Sequence, residues 1–187
     1  MEIQGNRSQQ SREWIILALL QLMEFTPYSQ LSITEIARKA GLARQTFYRN
    51  YQDKDDILFD YLCQLYAKFW LLTDEHEVFH EERFITLFRM WKEQAPPSLL
   101  TNISNRDRKI RQIIFRSLEY SIQELSRTQS MEHKETPTEG LYYYAHRSLS
   151  STLHVLLIEW TLHQFRETPE EMGRLAYQMT SSMRALL

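Results

Sequence analysis

Hydrophobic positions recur at spacings of three and four along nearly the whole chain, the period of helices that bury one face. Residues 14–25 carry such a stripe at Ile15, Ile16, Leu19, Leu20, Leu22 and Met23, and Pro27 ends it. Residues 32–40 form the next segment; Ser32 and Glu35 are spaced as a capping box, and Gly41 breaks the helix. A third short helix runs to about Asn50. Asp53 and Asp56 mark another start, and Ile57, Leu58, Tyr61, Leu62, Leu65, Tyr66, Phe69 and Trp70 make the stripe of a long amphipathic helix. Residues 84–91 and 110–125 repeat the pattern, with Pro96-Pro97 as a stop between them. A polar stretch, 127–138, reads as a disordered loop. Residues 141–165 are apolar on several sides, and Pro169 with Glu170 and Glu171 opens a last helix running close to Leu187. The pattern predicts an all-α chain of about nine helices, with no strand and no internal repeat.

Composition narrows the class. A chain of 187 residues suits one domain or two small ones. With 4 Gly and 5 Pro it is neither collagen-like nor a turn-rich β-sandwich. A single cysteine, Cys63, makes neither an internal disulfide nor a cysteine zinc cluster. No apolar run reaches membrane-spanning length, and residues 1–10 lack the apolar stretch of a signal peptide, so a cytoplasmic location is expected. Net charge is −2, divided as +1 over residues 1–55 and −3 over the rest. Phosphate binding must therefore come from local placement of side chains, not from a general field.

Residues 32–54 read SITEIARKAGLARQTFYRNYQDK. Ile36, Ala37 and Ala40 give the first helix a buried face, Gly41 permits a left-handed turn, Leu42 plugs it, and Phe47 and Tyr51 bury the second helix. Helix, short glycine turn and second helix are the sequence form of a helix-turn-helix. Ile36, Ala37, Ala40, Gly41, Leu42, Thr46, Phe47, Tyr48, Lys54 and Ile57 together resemble the DNA-binding domain of tetracycline-repressor (TetR) family regulators. The resemblance covers residues 8–68 and includes the Ile15/Ala18/Leu22 stripe; Trp160 and the ETPEEM run at 167–172 resemble the C-terminal domain of one subgroup. The chain departs from the family pattern at Pro27, where Gly is common, at Ala43 in place of a capping Ser or Thr, at Asn50 for His and at Tyr51 for Phe.

The resemblance implies a three-helix DNA-binding domain over residues 8–68, with its helix-turn-helix at about 32–51. A helical bundle over 69–187 would then bind an effector and dimerise. Arg44 can present its fork to guanine, and Gln45 can pair with adenine. Thr46 and Tyr48 offer hydroxyls to phosphate, and Arg49 and Asn50 complete the exposed set. Thr34 adds a hydroxyl beside free backbone N–H groups, and Lys54 supplies a point charge.

Other signals have a bland reading and a sharp one. His76-Glu77-Val78-Phe79-His80 matches the HExxH of zinc proteases, but it lies in an acidic connection with no third-ligand motif after it. Large aromatics gather in the second part of the chain. Phe69, Phe88, Trp91, Phe115, Tyr120, Tyr143 and Trp160, with Met90 and His146, suit either core packing or the walls of an effector pocket. Leu149, Leu153, Leu156 and Leu157, joined by Leu175, Met179 and Met183, suit either a central helix or half of a four-helix dimer interface.

The expectation is a homodimeric regulator that binds a palindromic operator in double-stranded DNA and is released by a small, mostly apolar effector. It calls for no catalytic residue, no cofactor, no metal and no membrane. Two alternatives stand beside it: a chain of this fold acting through a protein partner, and a zinc hydrolase using His76 and His80.

Overall fold

The computed structural model describes residues 2–71, 79–130 and 139–187, and among them the regular structure is helical. The helices are α1 (Glu2–Leu22), α2 (Ile33–Lys39), α3 (Arg44–Tyr48), α4 (Lys54–Leu71), α5 (Glu81–Gln94), α6 (Pro97–Ser104), α7 (Arg108–Ser130), α8 (Glu139–Leu162), α9 (Pro169–Met179) and α10 (Ser181–Arg184), with a 3-10 turn at Tyr28–Gln30. None of the described helices is long and apolar enough to cross a membrane.

Several elements differ from the pattern reading. Helix α1 begins some three turns before its apolar stripe, at Glu2. Pro97 does not stop a helix but starts α6, because proline at the first helical position gives up an N–H that would be unpaired anyway. Residues 127–130, assigned to a loop, continue α7; residues 131–138 lie outside the described part. The last helix breaks at Thr180, whose hydroxyl turns back to the Ala176 carbonyl at 2.7 Å.

The chain forms two compact units. The first is Met1–Tyr61 with Pro96–Ile113, and the second is Leu62–Ala95 with Ile114–Leu187. In the first, α1 packs on α2 and α2 on α3 around Ile15, Leu19, Ile36, Phe47 and Leu58, all at most 1% exposed. Leu99, Ile103 and Ile110 are buried there too. In the second, α5 and α9 lie so close that Gly173 meets the backbone of Ile85. Phe88 and Trp160 make an edge-to-face pair with centroids 5.5 Å apart.

Candidate nucleic-acid interface

Local chemistry sets the helix-turn-helix. Ser32 caps α2 with its hydroxyl on the Glu35 N–H, and the Glu35 carboxylate accepts from the Ser32 N–H at 2.9 Å. The far end closes with Leu42 N–H donating to Ala37 O and Gly41 N–H to Arg38 O. That is a Schellman pair, and it needs a left-handed residue at its pivot, here Gly41 at φ +68°. Helix α3 starts at Ala43 with no side-chain cap. It is held from inside, by Phe47 at 0% exposure and Tyr51 at 4%. Tyr51 donates to Asp60, and the Arg12 guanidinium lies 5.3 Å from its ring.

With Phe47 pointing inward, Arg44, Gln45, Tyr48 and Arg49 all face solvent. Arg44 and Tyr48 lie one turn apart and are joined by an Nη2–Oη hydrogen bond of 3.1 Å, with the guanidinium 5.5 Å from the ring. Thr34 is exposed in the first turn of α2. Thr46 is half-buried. Asn50 is tied down twice: its amide donates to Thr46 O at 2.8 Å, and its Oδ1 accepts from Ser8 Oγ at 3.1 Å.

Lys54 has a different occupation. Its ammonium donates to the carbonyls of Tyr28, Ser29 and Leu31 at 2.7, 3.3 and 2.8 Å, and lies 4.8 Å from the Tyr28 ring centroid. All three of its N–H donors are thereby used, and burial draws its pKa down. The same corner holds residues that the sequence pattern does not single out. The Tyr28 hydroxyl donates to Asp55 at 2.6 Å, Lys109 pairs with Asp55 at 2.9 Å, and the Tyr28 N–H donates to Asn102 Oδ1 at 3.0 Å. These partners are separated by 27 to 74 residues, so no local signal marks them. They fix the start of α4 against α6 and the first turn of α7 inside the first unit.

In the second unit the expected pocket residues differ in burial. Phe69, Phe88, Met90, Trp91, His146 and Trp160 are buried, whereas Tyr120 and Tyr143 are about half exposed and Phe115 is half-buried. Both indole N–H groups are used internally: Trp91 donates to Thr161 Oγ1 at 3.0 Å and Trp160 to Glu167 O at 3.1 Å. A small cavity of about 10 Å³ is walled by Trp70, Phe79, Arg83, Phe84, Leu87, Ile122 and Leu153. The expected interface residues divide as well. Leu149, Leu153 and Leu157 are at most 3% exposed within the protomer, because α8 turns that side into its own core. Leu156 and Met183 are half-buried, while Leu175 and Met179 stand 43% and 54% exposed. His76, Glu77 and Val78 of the HExxH match lie outside the described residues.

A capped helix, a Schellman turn and a second helix with a polar outer face define a helix-turn-helix protein. Residues 15–61 match the family model of bacterial regulatory proteins of the tetR family. No curated protein sequence matches the chain. Among solved structures it is similar to a TetR transcriptional regulator from Streptococcus agalactiae 2603V (18% identity, 96% of this chain and 98% of that one, TM-score 0.62). It is also similar to the TetR-family repressor FadR of Thermus thermophilus, solved with lauroyl-CoA (22% identity, 91% and 93%, TM-score 0.57). A third is the dihydroxyacetone kinase operon activator DhaS (15% identity, 95% and 97%, TM-score 0.56). At these identities the structures speak for the fold. Over residues 15–61 the chain thus carries a helix-turn-helix domain of the tetR type, and over its whole length it shares the fold of these regulators.

Proposed function

We propose that the protein is a cytoplasmic homodimeric repressor that binds a palindromic operator and leaves it when a small, mostly apolar effector enters the C-terminal unit. The observation that carries the reading is the outer face of α3, where Arg44, Gln45, Tyr48 and Arg49 are exposed together on a helix fixed from behind by Phe47 and Tyr51. Arg44 and Gln45 read base edges in the major groove. Thr34, Thr46, Tyr48, Arg49 and Asn50 grip or approach phosphates. Lys54 acts chiefly by closing the turn before α2, and its charge adds to the phosphate field. No catalytic chemistry is required.

Dimerisation uses the side of α8 and α9 that the protomer leaves uncovered. Leu141, Tyr144, Val155, Leu175 and Met179 are 43–67% exposed large apolar residues on these two packed helices, and Ser148 lies on the same outer side of α8. An apolar stripe of this kind buries itself best against a second copy. Val155→Glu is expected to dissociate the dimer in light scattering while leaving helix content unchanged. Release from DNA then requires the effector to favour a dimer whose recognition helices no longer match half-site spacing.

Selection of bound duplexes from a random pool tests the reading. A recovered palindrome with two half-sites about one helical turn apart supports it. Failure to enrich any sequence favours a chain that acts through a protein partner.

A further inference from the structure

The centre of the second unit holds a polar seam with unmet hydrogen-bonding capacity. His146 on α8 is 2% exposed, and neither its Nδ1 nor its Nε2 has a partner. Tyr66 on α4 is fully buried, and its hydroxyl lies beside Ser117 without a well-formed hydrogen bond. The Arg147–Glu119 ion pair at 2.7 Å and the Phe115–His154 ring contact set α7 antiparallel to α8. In that register Ser121 and Ser117 stand level with His146 and Ser150, and all four are buried. The two inner serines with known partners are already satisfied, Ser150 on His146 O at 2.9 Å and Ser117 on Ile114 O at 3.0 Å. They do not serve the imidazole. A buried imidazole ordinarily finds at least one partner for its donor or its acceptor. Among the described residues the ring packs edge-to-face with Tyr142, with centroids 4.5 Å apart.

We propose that His146, with Tyr66, is the polar end of the effector site, and that the effector is an apolar molecule carrying one uncharged oxygen, as an alcohol or a ketone. The inference rests on the reading of the chain as an effector-released regulator. Burial pushes the imidazole down to about 4, so at neutral pH it carries no charge to offer a carboxylate or phosphate. A neutral ring presents one N–H and one lone pair on opposite edges, which suits a hydroxyl or a carbonyl. The nearby cavity is walled mostly by apolar and aromatic side chains, with Arg83 at one side; Ile122 directly follows Ser121, and Leu153 lies three residues beyond Ser150. At about 10 Å³ it has room for no more than a water. A ligand that enters by this cavity must part the side chains packed around it, which couples binding to a change of shape.

The test uses the full chain and four ten-carbon probes: decan-1-ol, decan-2-one, decanoate and decylammonium. Thermal midpoint and operator release are read separately. The alcohol and the ketone are expected to raise the midpoint at concentrations where the two ions do not. His146→Leu is expected to weaken the neutral probes at least tenfold, and His146→Gln, which keeps a donor and an acceptor, to restore part of that loss. Tyr66→Phe keeps the packing and is expected to weaken the alcohol by a smaller factor. Ions that bind as well as the neutral probes overturn the proposal on the wild-type protein alone, as does the absence of binding by all four. Unchanged alcohol binding in His146→Leu overturns the role of the ring. Release of operator by all four probes alike overturns the head-group chemistry but keeps the release reading. Binding that depends on His146 without operator release keeps the chemistry and overturns the release reading.

Discussion

Gly173→Ala tests the close approach of α5 and α9 in the second unit. A Cβ placed on Gly173 falls 2.4 Å from Ile85 Cα and 2.6 Å from both Ile85 N and Cγ1. Ordinary van der Waals contact needs about 1 Å more than the shortest of these. Two of the three atoms are backbone and cannot rotate aside, so α5 and α9 must move apart. Overpacking costs roughly 1–3 kcal/mol, and a backbone obstacle places this site toward the upper end. Alanine returns up to about 1 kcal/mol through its better helix propensity. The net loss is about 2 kcal/mol, or roughly 4–8 °C in thermal midpoint for a chain of this size. Separation of the helices also strains the Arg89–Glu170 pair, now at 2.8 Å. The control is Gly140→Ala, where the same Cβ meets nothing within 4 Å; it is expected to leave the midpoint level or slightly higher. Differential scanning calorimetry on the two variants reads both outcomes. A Gly173→Ala midpoint equal to wild type would refute the close approach of α5 and α9.

Gly41→Ala places a side chain at φ +68° in open space, so its cost is conformational, about 1–2 kcal/mol in chemical denaturation, with weaker operator binding. Lys54→Met keeps the stem but leaves three carbonyls without their donor; a stability loss of about 1–2 kcal/mol is expected, larger than for Arg49→Met on the exposed face of α3. Asp55 gives a pH dependence. Burial raises its pKa, but hydrogen bonds from Tyr28 and Lys109 outweigh this and hold it below the usual carboxylate range. A depressed carboxylate contributes stability above its unfolded pKa and loses it as pH falls through the folded value. Denaturant midpoints should thus decline more steeply toward acid pH in the wild type than in Asp55→Asn; equal slopes would remove Asp55 as a source of the decline.

What the sequence makes legible is what is local. The Ser32–Glu35 box, the Gly41 pivot and the inward Phe47 and Tyr51 lie within a few residues of the groups they serve, and the recognition face follows once those are set. Pro97 is ambiguous because proline both stops a helix and starts one. The three turns of α1 before Trp14 are polar and show no stripe to detect. Helix α8 is apolar on several sides, and only packing reveals that Leu149, Leu153 and Leu157 turn inward while Val155 turns out. Lys54 looks like a phosphate contact because it is a cation beside a recognition helix; its carbonyl partners lie 23 to 26 residues upstream, beyond any spacing rule. Trp91 and Trp160 stand out in the sequence as large aromatics, but the partners of their indole N–H groups, Thr161 Oγ1 and Glu167 O, show only in the fold.

If the exposed face of α3 reads base edges, Arg44 is the side chain whose loss shows it most directly. Fluorescence anisotropy of wild type and Arg44→Ala on the selected operator and on random duplex, each over a range of salt concentrations, measures it. Wild-type affinity is expected to fall steeply with salt on both DNAs, as counterion release requires. Arg44→Ala is expected to lose roughly 1–3 kcal/mol on the operator beyond any loss on random DNA, with relaxed preference at one base position of each half-site. Equal losses on operator and random duplex would contradict base reading by Arg44 and reduce this face to a phosphate contact.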